Sequence, residues 1–488
     1  MASKISAKQA VLFTAINYIG VAIGVVSTVL IYPLDKELLG IVRYVDAFAQ
    51  LLFPIMVLGS TNALINFYPS LSQHLQQKLF SFSLLSIAKM ALLVAVVMGV
   101  LSLYLDSTTT KYLWIAFPLG LFMTYVELYK RQATNLQKLS VPTFYEKIIP
   151  KLALPLVFIV VLYGALTTDQ ALVGYVVAYG IIVLLVGRYV FKHYKHKLYS
   201  NYADLFAQLP KRKYYAYSLY SFAGSFGAFF AFRVDSLMIP EFISFDANGT
   251  YNIAVTLAST LAIPATGVFA LYAPVIAKLI QENSWKALNL KYKSVCKYLF
   301  FIGAFLFSCI AVGIEPLFLA LPTYENLAPS LPIIYILGVN VVINMSTGFN
   351  TEIISYSKYY RFNLVAILSL MVLNIGLNWY LLSQTDLGIA GVAYATLLSL
   401  TLFNLAKTLY IYKKMRLWPF DKSFLKMMCF FIAVAVLVFK IPLTDYSWFD
   451  LLYKVFLVAL IHALALYKFQ WVPEITDYLS KLKAKIVG

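Results

Sequence analysis

The chain has 488 residues, of which 61% are hydrophobic and only 12% are charged. An average soluble protein carries roughly 25% charged residues, so this composition excludes an ordinary soluble protein and indicates an integral membrane protein. The formal net charge of +18 would suggest a nucleic-acid partner in a soluble chain, but the distribution of the charge along the sequence argues against that function.

Apolar runs follow one another along almost the whole sequence. A transmembrane helix needs about 20 apolar residues, and such runs are centred near residues 21, 55, 93, 120, 158, 180, 227, 262, 309, 340, 371, 398, 433 and 459. The first run is too long for a signal peptide and lacks an A-x-A-like cleavage site. The sequence therefore predicts about fourteen spans, with the first one retained, and leaves no room for a soluble catalytic domain of ordinary size.

Basic residues are concentrated in alternate turns between these spans. The set of turns that contains the N-terminus holds 32 of the 39 Lys and Arg residues, and the opposite set holds 4. Cytoplasmic turns of membrane proteins carry such an excess of positive charge. The pattern predicts that both termini are cytoplasmic and that the number of spans is even.

An internal repeat divides the chain. The segment LGIVRYVDAFAQLLFPIMVLG places Gly40 fourteen residues before Pro54, and the segment NGTYNIAVTLASTLAIPATGV places Gly249 fifteen residues before Pro264. A second pair of similar segments, near residues 174 and 391, has nearly the same offset. Transporters are often built from two such related bundles.

The repeat predicts three parts of the chain. These are a six-helix lobe over residues 1–213, with a basic cytoplasmic connector from about 193, a second six-helix lobe over 214–421, and two extra helices with a cytoplasmic tail over 422–488. Six spans return each lobe to its starting side, so the lobes are expected to be parallel repeats. The connector and the tail are expected to lie at the membrane surface as amphipathic segments. The predicted fold class is an all-α polytopic membrane protein.

Motifs for nucleotide hydrolysis and for metal binding do not occur in the sequence. It contains no G-x-x-x-x-G-K-[ST] loop and no H-E-x-x-H motif. The three cysteines, Cys296, Cys309 and Cys429, are scattered and odd in number. The sequence predicts a protein that is not an enzyme and has no cofactor and no metal site.

Two long stretches of the second half carry short motifs in a characteristic order. The first is VDSLMIPEFISFDANGTYNIAVTLASTLAIPATGVFALYAPVIAKL, and the second is ILGVNVVINMSTGFNTEIISYSKYYRFNLVAILSLMVLNIGLNWYLL followed by LGIAGVAYAT. Their order and spacing resemble the polysaccharide transporter family, which belongs to the multidrug/oligosaccharidyl-lipid/polysaccharide (MOP) superfamily. The resemblance covers most of residues 1–421, is dense from about 230 to 420, and is strongest to Wzx-type lipid-linked oligosaccharide flippases.

This resemblance implies two six-helix lobes around a central cavity that opens alternately to each side of the bacterial inner membrane. The implied cargo is an oligosaccharide on undecaprenyl diphosphate, moved from the cytoplasmic to the outer leaflet for O-antigen, capsule or exopolysaccharide synthesis. The implied partners are this lipid-linked substrate, membrane lipids, and the glycan polymerase and glycosyltransferases of the same pathway, with no nucleic acid. Relatives place basic residues in the cavity to meet the diphosphate.

Three basic residues within or at the ends of predicted spans are candidates for that contact. A charge at bilayer depth costs at least about 2.5 kcal/mol on insertion scales, so such residues usually face a cavity or the bundle interior. Arg233 and Lys89 lie inside spans, and Arg43 lies at an outer mouth. Snorkelling to an interface is the alternative for Arg233 and Lys89, and an ordinary rim charge is the alternative for Arg43.

Four further polar residues in the spans are assigned binding, structural or coupling roles. Asn340 and Asn344 lie one turn apart on the tenth span and are candidates for sugar contact, with interhelical hydrogen bonding as the alternative. Asp235 is about 200° around the helix from Arg233, so its partner is expected on another helix. Glu127 precedes two basic residues by one turn and is expected to pair with them.

Two other functions compete with the flippase. A multidrug and toxin exporter of the same superfamily would need intramembrane acids for an organic cation, whereas the excess of intramembrane cations favours an anionic cargo. A membrane glycosyltransferase or polymerase acting on lipid-linked sugar would need acids and a sizeable outer loop, whereas each predicted outer loop has about a dozen residues or fewer.

Overall fold

The computed structural model describes the backbone of residues 7–194, 197–444 and 446–472. Within these ranges every regular element is a helix, and no strand is formed. The all-helical prediction is therefore confirmed for the described chain. The predicted amphipathic tail after residue 472 lies outside the described residues.

Nineteen α-helices occur in the described ranges, and several are joined by short 3-10 turns. In chain order they are α1 (Ala7–Leu30), α2 (Lys36–Val57), α3 (Ser60–Phe67), α4 (Gln73–Leu101), α5 (Ser107–Asn135), α6 (Ser140–Leu162), α7 (Thr168–His193), α8 (Ala203–Gln208), α9 (Lys211–Phe242), α10 (Phe245–Ser259), α11 (Ile263–Gln281), α12 (Trp285–Leu319), α13 (Tyr324–Leu327), α14 (Leu331–Ser346), α15 (Asn350–Tyr356), α16 (Arg361–Gln384), α17 (Gly388–Met415), α18 (Lys422–Phe439) and α19 (Ser447–Phe469).

Eleven helical segments among the described residues are long and apolar enough to cross a membrane. Two shorter apolar helical segments, Ile19–Leu34 and Leu271–Gln281, accompany them. Helix α6 has 23 residues but carries three charged side chains, Glu146, Lys147 and Lys151, and it is not among these eleven. The chain is a multi-pass membrane protein, and a total of fourteen spans stays a prediction.

The chain forms two compact units, residues 1–252 and residues 253–488. This division follows spatial contact, whereas the predicted lobes, divided at residue 213, follow the sequence repeat. Helix α9 lies after the predicted lobe boundary, yet it packs against α2 and α3 within the first unit. The lobe boundaries therefore stay a prediction.

In the first unit, α9 runs antiparallel along the whole length of α2. Gly59, which begins α3 with a positive φ of 72°, has its Cα against the backbone carbonyl of Ser218. Further along, the rings of Phe53 and Phe229 meet edge to face with centroids 5.5 Å apart. A side chain at position 59 would push α9 away, so this glycine sets the closeness of the two helices.

The glycines of the internal repeat contact each other's helices. A Cβ placed on Gly40 would overlap the carbonyl oxygen of Phe245, and one placed on Gly249 would overlap the carbonyl oxygen of Lys36. The amide of Asn248 donates to the Gly40 carbonyl at 2.8 Å, and Lys36 forms an ion pair with Asp246 at 3.2 Å. Close backbone approach at both glycines explains why the motif recurs.

The connector after α7 is fixed to α4 at the start of that helix. Lys78, which is 9% exposed, donates to both carboxylate oxygens of Asp204 at 2.6 and 2.7 Å. This bond lowers the pKa of the Asp204 carboxyl. The hydroxyl of Tyr202 lies 3.0 Å from that of Ser81, so the short helix α8 is held by several polar contacts.

In the second unit, α12 is the central helix and packs against α14, α18 and α19. Its core includes Leu299, which is fully buried. Asp421 caps α18 by accepting from the Phe424 amide at 2.9 Å and also pairs with Lys297 at 2.9 Å. Burial opposes ionisation of Asp421, but these bonds and the positive charge of Lys297 keep its pKa below the ordinary value.

We expect Gly40→Ala to destabilise the protein, because the added methyl group overlaps a backbone carbonyl that has no flexible side chain to move. Overpacking of this kind costs typically about 1–3 kcal/mol, which a thermal unfolding curve in detergent measures. Gly99→Ala is the matched control, since nothing lies within 4 Å of its added Cβ. Equal loss of stability in both variants would contradict the close contact at Gly40.

Candidate functional site

A polar stripe runs along one face of α2. Arg43, Asp46 and Gln50 are spaced by three and four residues, which places them on the same side of the helix. Asp46 is only 5% exposed, whereas Arg43 and Gln50 are half-buried. The side-chain amide of Gln50 donates to Asp46 Oδ2 at 2.6 Å.

Helix α9 adds a second cation to this stripe. Arg233 Nε donates to Gln50 Oε1 at 2.8 Å. Gln50 thus accepts from the guanidinium of Arg233 and donates to the carboxylate of Asp46, so a single amide connects the two charges. We call Arg43, Asp46, Gln50 and Arg233 the α2/α9 polar chain.

The guanidinium of Arg43 is surrounded by phenol rings rather than by carboxylates in contact. It interacts electrostatically with Tyr175 and Tyr179 on α7, and both phenols also interact with Asp46. Arg43 Nε is enclosed and has no hydrogen-bond acceptor among the described residues. A buried guanidinium donor without an acceptor is costly, so Arg43 Nε is an unsatisfied donor within the first unit.

The α2/α9 polar chain has an excess of one positive charge. It contains two guanidinium groups, those of Arg43 and Arg233, and one carboxylate, that of Asp46, which Gln50 links to Arg233. The hydrogen bond of Arg233 uses Nε, and its two terminal Nη groups make no hydrogen bond within the described chain. Guanidinium groups bind phosphate and carboxylate with paired hydrogen bonds, so this arrangement is chemically suited to a phosphate.

Asp235 points to a different helix from Arg233. Its Oδ2 accepts from the Tyr251 hydroxyl on α10 at 2.6 Å, and the carboxylate is 7% exposed. One residue further, the Ser236 hydroxyl lies 3.1 Å from the amide nitrogen of Asn252. These bonds connect α9 to α10, so Arg233 and Asp235 have separate surroundings although they are two residues apart.

Lys89 and Glu127 lie away from the α2/α9 polar chain. Lys89 is on an exposed face of α4, beside the exposed Leu92 and Leu93, and has no hydrogen bond or ion pair within the described chain. Glu127 pairs with Lys130 at 3.1 Å and with Arg131 at 2.5 Å on its own helix. Lys89 and Glu127 therefore do not contact Arg43 or Arg233.

The two asparagines of α14 differ in their surroundings. Asn340 is 7% exposed, and its Oδ1 is enclosed without a hydrogen-bond donor among the described residues. Asn344 is exposed, and its Oδ1 accepts from Asn404 Nδ2 on α17 at 3.1 Å. Both belong to the second unit, whereas the α2/α9 polar chain belongs to the first.

Several polar residues that were not predicted as site residues from the sequence lie in the α2/α9 polar chain or near Asn344. Asp46 and Gln50 are in the repeat segment quoted above, and their i, i+3, i+7 spacing with Arg43 was the available signal. Asn404 and Lys407 lie on α17. The count of basic residues in alternate turns had assigned Lys407 to a cytoplasmic turn. In the described chain, no group of three or more His, Cys, Asp or Glu residues could hold a metal ion.

Comparison with known proteins gives similarity in structure only. No protein-family model and no curated protein sequence matches the chain. A structure of the lipid II flippase MurJ in an inward closed conformation is similar with a TM-score of 0.70 and 15% sequence identity, over 94% of this chain and 99% of that one.

Two MATE structures are similar as well. An inward-facing multidrug resistance MATE family transporter of the MOP superfamily has a TM-score of 0.62 at 12% identity, covering 83% of this chain and 98% of that one. The chain has a MOP-type transporter fold. A MATE structure in a bent conformation is also similar, with a TM-score of 0.52 and 11% identity. The match covers 86% of this chain and 97% of that one. These neighbours are transporters or flippases rather than enzymes.

The bridging role of Gln50 predicts energetic coupling between α2 and α9. In a double-mutant cycle with Gln50→Leu and Arg233→Gln, we expect a coupling energy of about 0.6 to 1.7 kcal/mol, the range of interhelical polar contacts in membranes. Thermal or denaturant unfolding in detergent provides the stability of each variant. Gln384→Leu, at an exposed position of α16, is the control and should show no coupling to Arg233→Gln. Simple additivity of Gln50→Leu and Arg233→Gln would contradict the bridge.

Proposed function

We propose that this chain is a flippase that moves an oligosaccharide on undecaprenyl diphosphate from the cytoplasmic to the outer leaflet of the bacterial inner membrane. The observation that carries the proposal is the α2/α9 polar chain, which holds two guanidinium groups and one carboxylate, with Arg43 Nε lacking an acceptor among the described residues and Arg233 bonded through Nε to Gln50. The sequence resemblance to polysaccharide transporters supplies the class of cargo. The named function of one structural neighbour, a lipid II flippase, agrees with a lipid-linked cargo.

The charge of the cargo explains why such a site is needed. A diphosphate carries negative charge through about 30 Å of hydrocarbon, and a charge without partners at that depth is unfavourable. Arg43 and the Nη groups of Arg233 offer hydrogen bonds that replace those of water. Asp46 and Gln50 hold the two cations in place and reduce their mutual repulsion when no cargo is bound.

The remaining candidate residues have supporting roles in this proposal. Asn340 and Asn344 contact sugar hydroxyl groups, since each has an amide group that is not fully used by the protein. Asp235 fixes α9 against α10 through Tyr251. Lys89 attracts the anionic carrier at the exposed face of α4.

Transport requires that the cargo site opens to each side of the membrane in turn. We infer two six-helix lobes around a central cavity, fourteen spans, and cytoplasmic termini, in agreement with the sequence repeat and the charge distribution. The glycosyltransferases that build the cargo and the polymerase that consumes it act before and after this step. Each of them handles the same lipid-linked sugar.

Export of an organic cation is the second candidate function. Asp46 and Asp235 are buried carboxylates, 5% and 7% exposed, and a cationic drug would need such groups. The similarity to MATE structures agrees with this candidate. However, the α2/α9 polar chain holds two arginines and one carboxylate, an excess of positive charge that would repel a cation, so an anionic cargo fits it better.

Flipping by the purified protein in proteoliposomes tests the proposal. A fluorescent lipid-linked oligosaccharide is placed in both leaflets, and the fraction that becomes accessible to an external quencher is followed in time. We expect Arg43→Gln and Arg233→Gln each to slow flipping about 10-fold to 100-fold, because a hydrogen bond to a charged group contributes about 1.5–3 kcal/mol and each 1.36 kcal/mol is tenfold.

Arg188→Gln is the matched control, because Arg188 is exposed on α7; its flipping rate should equal that of the unmodified protein. Ethidium transport is measured with the same preparations. Ethidium transport without flipping, abolished by Asp46→Asn, would contradict the flippase and favour the exporter.

A further inference from the structure

Asn404 lies at the centre of a hydrogen-bonded network in the second unit. It is on α17 and is only 3% exposed. Its Nδ2 donates to the backbone carbonyl of Leu400, one turn earlier, at 3.0 Å, and to Oδ1 of Asn344 on α14 at 3.1 Å. Its Oδ1 accepts from Nδ2 of Asn350 on α15 at 3.0 Å. One buried amide therefore joins three helices of this unit.

The oxygen and the nitrogen of the Asn404 amide cannot be exchanged. A backbone carbonyl oxygen only accepts hydrogen bonds, so the atom of Asn404 that contacts the Leu400 carbonyl must be the nitrogen. The second N–H of the same nitrogen needs another acceptor, and Asn344 supplies it with its side-chain oxygen. The backbone of α17 thus fixes the direction of the bond between the two asparagines.

The opposite end of the network gives the same direction. Lys407, which is 3% exposed, donates to the hydroxyl of Thr351 at 2.8 Å. That hydroxyl donates in turn to Oδ1 of Asn350 at 3.2 Å, and Asn350 donates to Asn404. An ammonium group has three donors and no acceptor, so the bonds must run away from Lys407.

The bonds of the network strengthen one another. Lys407 lies 4.1 Å from the ring centroid of Phe403 and forms no ion pair within the described chain. Hydrogen bonds that follow one another in the same direction polarise each other. Because each bond between Lys407 and Asn344 has the same direction, the polarisation strengthens the N–H groups at the far end, on Asn344.

Asn344 is the end of the network that a ligand can reach. It is exposed on α14, whereas Asn350 and Asn404 are each 3% exposed. Its oxygen is engaged by Asn404, and its Nδ2 makes no hydrogen bond within the described chain. Asn344 therefore presents N–H donors to its surroundings, while its acceptor is used by the protein.

Rotation of the Asn344 amide is unfavourable in this setting. An isolated asparagine can turn its amide by half a turn and offer either the oxygen or the nitrogen to a ligand. At Asn344 the rotation would place two N–H groups against each other and leave a buried donor of Asn404 without an acceptor, which is costly. The network therefore restricts Asn344 to the role of a donor.

We propose that Asn344 binds the sugar of the cargo as a hydrogen-bond donor only, and that Asn404 is the positioning residue that fixes this direction. The sugar then supplies an oxygen that accepts, from a hydroxyl, a carbonyl or a carboxylate group. A protonated amino group has no acceptor and is excluded from this contact. The contact with sugar rests on the proposed function, whereas the direction of the network does not.

A double-mutant cycle tests the direction without any cargo. Asn344→Asp keeps an acceptor for Asn404 and removes the donors, and an ionised acceptor makes a stronger hydrogen bond than a neutral one. We therefore expect Asn344→Asp to be better tolerated in the unmodified background than in Asn404→Leu, by about 2–4 °C in the melting temperature of the purified full chain. Equal effects in the two backgrounds, or a larger loss where Asn404 is present, would overturn the direction.

Binding to the purified full chain in lipid nanodiscs tests the contact with the sugar. The two probes are a fluorescent lipid-linked oligosaccharide of hexose and N-acetylhexosamine units and the same lipid diphosphate without the sugar. We expect the sugar to raise the affinity of the unmodified protein about tenfold, equivalent to about 1.4 kcal/mol. Asn344→Asp should lose most of this gain, because a carboxylate has no donor and repels an accepting oxygen.

Asn404→Leu should lose part of the gain, since the amide of Asn344 is then no longer held in one direction. Both variants should bind the sugar-free lipid diphosphate as the unmodified protein does, a result that a merely structural defect would not give. Gln384→Glu is the matched control, because it exchanges an amide for a carboxylate at an exposed helical position. It should keep the full gain.

The outcomes separate this inference from the proposed function. A full gain in Asn344→Asp, or no gain from the sugar in the unmodified protein, would overturn the contact between Asn344 and the sugar. Failure of the unmodified protein to bind either probe would overturn the proposed function and, with it, the sugar contact. The direction of the network is decided by the unfolding cycle alone.

Discussion

Charge inside a hydrocarbon layer must be compensated, and in the first unit Gln50 connects the Asp46 carboxylate to the Arg233 guanidinium. Its amide accepts from Arg233 and donates to Asp46, and Tyr44 of α2 donates to Glu241 of α9, so polar contacts join these two helices. Removal of a partner from such a contact leaves a buried donor or acceptor unsatisfied. The antiparallel course of α9 along α2, from Gly59 to Tyr44, keeps this contact in register.

The sequence predicted the helical membrane fold because hydrophobic length and charge asymmetry are properties of the chain itself. It also identified Gly40 and Gly249 through their repeat, and the structure explains the repeat by close backbone contact. The pairing of Arg233 with Gln50 could not be predicted, because the residues are 183 positions apart and the register of two packed helices depends on all their contacts. Lys407 was missed because its helix continues inside the protein beyond the apolar run that marks the span.

The two units use polar groups in different ways. The α2/α9 polar chain concentrates charge and leaves guanidinium donors free, which suits an anionic ligand. The cluster around Asn404 is mostly neutral, and its hydrogen bonds run from Lys407 through Thr351 and Asn350 to the exposed Asn344, which suits sugar hydroxyl groups.

Binding of isoprenoid phosphates to the purified protein in lipid nanodiscs tests the central claim most directly. The account predicts that farnesyl diphosphate binds at least about tenfold more tightly than farnesol, equivalent to about 1.4 kcal/mol, and that this preference falls with rising salt. It also predicts that Arg43→Gln and Arg233→Gln each lose most of the preference. Equal affinities for the diphosphate and the alcohol in the unmodified protein would contradict the assignment of the α2/α9 polar chain as an anion site.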